Sequence, residues 1–204
     1  MQDEMSVFLV EGVLFRVHRY FLQRDSDVFR TMFVCPPTEE GPEGRTDERP
    51  IVLPEVTAVE FETLLKFFYN SMYSKPLESV EEWVALLSIS TRYGMDRVRE
   101  RALEEIDSMP PVDPIRRIVL AKKHDVAEWL VPAYAALCRR VEPLNVLEAV
   151  EIGLETTVLV ATAREKVRER DIINIIAGHP SSEELDDPFV LGVIDEVFGL
   201  HVDA

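Results

Sequence analysis

The stretch Val7-Phe8-Leu9-Val10-Glu11-Gly12-Val13-Leu14-Phe15-Arg16-Val17-His18-Arg19 decides the fold. Val7 to Val10 is apolar throughout, and a second apolar-rich run, Val13 to Val17, resumes after two residues. Gly12 can take the positive φ that a two-residue hairpin loop demands, so the spacing predicts two antiparallel strands. Val13, Phe15 and Val17 then share one face. From His18 the period lengthens. Tyr20, Phe21, Arg24, Val28, Phe29, Met32 and Phe33 fit one or two short helices broken near Asp25-Ser26, either of which can serve as a cap.

Downstream, residues 36–50 hold four prolines, two glycines and no large apolar residue. Such a composition buries too little to offset its ordering entropy, which predicts an exposed loop. Ile51-Val52-Leu53, between Pro50 and Pro54, reads as a short strand. Thr57 and Glu60 have the spacing of a capping box, with Val56 and Phe61 placed as a hydrophobic staple. The helix they open carries Phe61, Leu64, Leu65 and Phe68 on one stripe. Ser79 and Glu82 repeat the box before Trp83, Leu86, Leu87 and Ser90, and Gly94 ends that helix. Asp96 is expected to cap the next, which carries Val98, Ala102, Leu103 and Ile106. Each cap is worth about 1 kcal/mol.

Pro110-Pro111 sets the expected boundary between a first domain, 1–109, and a helical part, 110–204. Asp113-Pro114 is an N-cap followed by proline at the first helical position. Val126, Trp129, Leu130, Ala133, Tyr134, Leu137, Cys138 and Val141 keep a helical period that Pro132 should kink or split. Asn145 and Glu148 form another capping-box spacing, Gly153 ends that helix, and Glu155 to Arg170 reads as a long helix with basic final turns. Phe189, Val190, Val193, Ile194, Val197 and Phe198 make an apolar stripe in an acidic tail, which either docks on the chain's own body or engages a partner groove.

Charge and chemistry narrow the function. The 204 residues carry 22 basic and 38 acidic groups, a net −16, and half of the excess lies in residues 171–204, which have no Lys or Arg. Residues 110–141 run the other way, at +3. An acidic surface disfavours phosphate backbones and anionic lipid, so neither nucleic acid nor membrane is an expected partner. No apolar run approaches the ~20 residues of a membrane span, no secretory signal is visible, and two cysteines make no disulfide framework. An intracellular protein is expected. There is no dinucleotide fingerprint, no phosphate-cradling loop and no nucleophile elbow. His18, His124, His179 and His201 are scattered without metal-ligand spacing. Cys35 stands at a helix C-terminus, the wrong end to activate a thiolate. Glu39-Glu40 and Asp186-Asp187 lie in polar stretches that solvate them. No catalytic, metal or cofactor residue is assigned.

The fold class is α+β: a small sheet packed with helices, followed by an all-α extension. Within it, Phe15-Arg16-Val17-His18-Arg19 with Leu22, Ser26, Phe29, Met32 and Phe33 resembles the central motif of the BTB/POZ domain. Ile51-Val52-Leu53, Phe61, Leu64, Leu65 and Phe67-Phe68-Tyr69 resemble its next strand and helix, and Trp83 to Ile106 its closing helix pair. Further on, Ala121-Lys122-Lys123, Glu128 to Tyr134, Leu137-Cys138-Arg139-Arg140, Gly153-Leu154-Glu155-Thr156 and Ala163-Arg164-Glu165 are similar to the helical extension of fungal BTB proteins. The resemblance implies a non-catalytic protein-interaction module, an adaptor for a cullin-type ubiquitin ligase or a self-associating scaffold or transcription-related regulator. By position match it implies partner contacts at Phe33, Tyr69 and Arg19. Many dimeric members place an Asp opposite the Arg matched by Arg19, where this chain has Met5 with Asp3 and Glu4 adjacent. The usual hydrophobic-x-Glu cullin contact is matched here by Pro37-Thr38-Glu39.

Overall fold

The computed structural model describes residues 4–35, 42–70, 77–177 and 188–200. The predicted hairpin is β1 (Met5–Val10) and β2 (Val13–His18), antiparallel with Val10 opposite Val13. Glu11 at φ 46° and Gly12 at φ 80° supply the two left-handed residues of its tight turn. β3 (Ile51–Val52) pairs parallel to β1, with Phe8 opposite Ile51. β1 is therefore the central strand in the order β2-β1-β3, and its Val7, Phe8 and Val10 are buried.

Residues 42–50 are largely exposed, as expected, but they are stitched to the sheet. The Val7 N–H donates to the Gly44 carbonyl at 2.8 Å, and the Gly44 N–H donates to Arg49 at 2.7 Å. Gly44 has φ 76°, and a Cβ there would meet Ile51 Cδ1 at 2.7 Å. That position requires glycine twice over, by conformation and by space.

The chain divides into two units, Met1–Pro110 and Pro111–Ala204. In the first, α1 (Arg19–Asp25) and α2 (Asp27–Val34) meet at buried Ser26. Its hydroxyl accepts from the Phe29 N–H at 3.2 Å and donates to the Tyr93 carbonyl at 2.6 Å. Then come α3 (Ala58–Tyr69), α4 (Val80–Arg92) and α5 (Asp96–Ser108). Both halves of the Thr57–Glu60 and Ser79–Glu82 capping boxes are formed. The α5 cap differs from expectation: Met95 is the N-cap, and Asp96 is the first helical residue, where its charge still favours the positive helix end. An aromatic cluster fills the centre, with Phe8 against Phe29 at 6.0 Å and Phe61 at 5.5 Å, and Phe29 against Tyr93 at 4.6 Å.

The second unit is helical. Asp113 caps α6 (Pro114–His124) through Ile115 and Arg116. A 3-10 turn at Ala127–Trp129 precedes α7 (Leu130–Arg139), so the chain breaks before Pro132 rather than at it. Pro132 lies in the first turn of α7, where its missing N–H forfeits no intrahelical bond. Val141 falls outside the helix and is 78% exposed, not on the buried stripe. α8 (Val146–Ile152) has its Asn145–Glu148 box and ends at Gly153, φ 85°. α9 (Leu154–Ile176) runs six residues past the expected end, because no helix breaker interrupts Asp171 to Ile176. Its basic residues thus sit in its middle, and its last turn carries none. Buried Arg164 donates to the Leu137, Val141 and Glu142 carbonyls, closing the end of α7. Burial pulls its pKa below the ordinary arginine value.

The described part of the tail is α10 (Pro188–Phe198), and it lies on α7 and α9. Val190, Val193 and Ile194 are buried, Phe198 stacks on Tyr134 at 3.9 Å, and Lys166 pairs with Glu196 at 2.6 Å. The described part of this segment docks on the chain's own body. Among the described residues, no helix is long and apolar enough to cross a membrane.

Candidate protein-interaction surface

The residues matched to partner contacts come from three separate elements. Arg19 opens α1, Phe33 is in the last turn of α2, and Tyr69 is the last residue of α3. Packing brings two of them into direct contact: the Arg19 guanidinium lies over the Phe33 ring, 4.8 Å from its centroid. Arg19 Nε donates to Ser6 Oγ at 2.6 Å, and Nη1 donates to Glu4 Oε2 at 3.2 Å. Glu4 thus supplies the carboxylate for which Met5 stands in the sequence match. Glu4 directly precedes β1, and Arg19 opens α1 directly after β2. Phe33 itself is half-buried, its inner edge against Phe8 at 6.3 Å and Phe29 at 6.1 Å.

Tyr69 joins the same junction by its hydroxyl. The His18 backbone N–H donates to Tyr69 Oη at 3.0 Å, and Oη lies 2.7 Å from His18 Nδ1. The Tyr69 ring meets Phe21 edge-on at 4.8 Å and stays 45% exposed. His18 and Arg19 are consecutive, so the Tyr69 hydrogen bond and the Arg19–Phe33 stack are anchored one residue apart at the end of β2. Tyr20, 47% exposed, flanks them on Phe21 at 5.6 Å. Arg24 lies over Tyr20, Phe21 and Phe68 at 5.9, 5.7 and 5.6 Å and is held there by Asp25, whose hydrogen bonds raise the pKa of the guanidinium.

The result is a half-exposed aromatic surface with arginines lying on ring faces, the composition that protein interfaces favour. Its side chains are held by contacts within the first unit. Tyr20, His18, Phe21 and Glu4 were not legible as members. A histidine with no metal-spaced neighbour gives no signal, and its true partner is 51 positions away. Tyr20 could have been found as an aromatic on the outward side of α1.

The other candidate residues form no part of these contacts. His124 is buried in α6, Cys35 is exposed at the end of α2, and burial raises the Cys138 thiol to about 11. Asp3, Pro37-Thr38-Glu39, Glu40, His179, Asp186-Asp187 and His201 fall outside the described residues.

No match is found among curated proteins. The family model of the BTB/POZ domain matches residues 6–109, from the second residue of β1 to one residue past α5. A three-stranded sheet wrapped by α1 to α5 is the structure found over that span. By that match the chain belongs to the BTB/POZ domain family, whose domain is a protein–protein interaction module.

Proposed function

We propose that the chain is a non-catalytic adaptor that binds partner proteins through the surface around Arg19, Phe33 and Tyr69, and that a cullin-type ubiquitin ligase scaffold is one such partner. The observation that carries this reading is the convergence of those residues at the end of β2, with Arg19 stacked on Phe33 and Tyr69 bonded to His18. Aromatic and arginine anchors held in one place are the usual energetic centres of interfaces.

Binding of the purified chain to a purified cullin, followed by calorimetry, tests it. Tyr69→Ala removes an exposed anchor and should weaken the complex by about 1–3 kcal/mol, whereas Tyr69→Phe, which keeps the ring, should cost less. Absence of binding at tens of micromolar overturns the ligase reading. The second reading, a self-associating scaffold or transcription-related regulator, is favoured by exposed Val28 and Val34 on α2. Light scattering that gives a strict monomer at high concentration argues against it.

A further inference from the structure

α9 buries one face and leaves the opposite face bare. Thr156, Val160, Ala163, Arg164 and Val167 point into the second unit's core. On the far side Val158, Ala161, Glu165, Arg168, Ile172 and Ile175 are all exposed. These six recur in alternating steps of three and four residues, and Leu154, 81% exposed, extends the pattern one step earlier. That alternation is the spacing of a two-stranded coiled-coil seam, and with Leu154 it runs nearly the full length of a 23-residue helix, about 35 Å. Val158, Ile172 and Ile175 are 55%, 58% and 65% exposed, so the seam has no cover from the described residues.

The charges in the seam identify what covers it. Reverse the pattern about its midpoint between Glu165 and Arg168, and Glu165 faces Arg168 of a second copy, Ala161 faces Ile172, and Val158 faces Ile175. Every layer is then complementary: acid against base, small against large, apolar against apolar, each occurring twice by symmetry. Other registers fail. A parallel, in-register pair sets Glu165 on Glu165 and Arg168 on Arg168, and an antiparallel pair slipped by a heptad sets both charges against Val, Ala or Ile. Like charges or unpaired charges at a seam are strongly disfavoured. Arg168 Nη2 donates to the Val141 carbonyl at 2.6 Å, and the guanidinium has further donors for a carboxylate.

We propose that α9 is a self-association element: it packs antiparallel against α9 of a second copy, in the register fixed by the Glu165–Arg168 pairs. This surface belongs to the second unit, whereas Arg19, Phe33 and Tyr69 belong to the first.

Sedimentation of the full chain over a concentration series tests it. Glu165→Arg, at an exposed position, should leave the circular dichroism unchanged and weaken self-association at least about tenfold. Adding Arg168→Glu should restore it, because the same layers return with signs exchanged. A second variant leaves the charges alone: Val158→Cys with Ile175→Cys in a Cys35→Ser background. The two sulfurs of one helix are about 25 Å apart, so mild oxidation should join residue 158 of one copy to 175 of the other. The proposal is overturned by a wild-type monomer at about 100 µM, by Glu165→Arg associating as the wild type does, or by 158-to-158 crosslinks.

Discussion

One hydroxyl, on Ser26, does two structural tasks at once. It caps α2 through the Phe29 N–H and satisfies the buried Tyr93 carbonyl at the end of α4. Ser26→Ala should therefore cost more than a cap alone: about 1 kcal/mol for the cap and a further ~1 kcal/mol or more for the stranded carbonyl, read as a fall in the urea midpoint. Glu148 shows a different kind of dependence. Its carboxylate receives both Nη groups of Arg140, at 2.6 and 2.8 Å, and the Asn145 N–H at 2.8 Å. The arginine hydrogen bonds first, and then the Asn145 N–H, lower its pKa from 4.5 to about 2. An acid depressed in the folded state adds stability above its unfolded pKa and loses it as the pH falls towards the folded one. Stability should thus decline between about pH 4.5 and 2, by about 1 kcal/mol once solvent screening is allowed for. Glu148→Gln, which keeps the cap geometry, should flatten that slope; an unchanged slope would assign it to other groups. At this scale the sequence was most legible where partners are local. The capping boxes were read from spacing alone, while the bond from Ser26 to Tyr93, spanning 67 positions, had no local signature.

Among the elements, α10 carries a prediction about the tail. Ile194 is fully buried among residues of α7 and α9, with Tyr134 and Phe198 closing the contact. Ile194→Ala should cost about 2–4 kcal/mol in denaturant unfolding, whereas a tail that served only an external partner would cost nothing. The apolar stripe of this helix was plain in the sequence, and its destination was not, because periodicity states which face is buried and never against what. The same limit produced the error at α9. Arg164, Lys166, Arg168 and Arg170 were read as a C-terminal basic turn, yet the helix continues through Asp171 and four exposed isoleucines. Ile172, Ile173, Ile175 and Ile176 carry no stop signal and no helical-face restriction, so the end was not legible. Pro132 misled in the opposite direction: proline splits a helix only when its N–H would have been bonded, and in a first turn it is not.

For the whole molecule, the net charge of −16 is unevenly spread, with half of it in residues 171–204. The first unit has a complete core of its own, from Phe8, Phe29 and Phe61 to Trp83, Leu86 and Ile106. We therefore place the functional boundary at Pro110, and a fragment of residues 1–110 should unfold in one cooperative urea transition; a gradual, non-cooperative loss of signal would show that it needs the extension. The second unit has a separate core around Ile118, Leu137, Val160 and Ile194. Fold class was legible because the hairpin, the caps and the helical periods all agree with one answer. The candidate surface was legible only in part: Arg19, Phe33 and Tyr69 were singled out by resemblance, while the contacts that hold Arg19 and Tyr69, to Glu4 and His18, arise from packing.

The Ser26 bridge also sets an order in time. Its two ends lie 67 residues apart, so the bond to Tyr93 closes a long loop and forms only after α4 has arrived. The hairpin turn at Glu11-Gly12 and the Thr57 cap need no such arrival and can form in isolation. Loss of the hydroxyl removes the local cap and the distant bond together, so it should slow refolding through the first and speed unfolding through the second, and both limbs of the chevron should move. Ser26 thus ties an early, local contact to a late, long-range one.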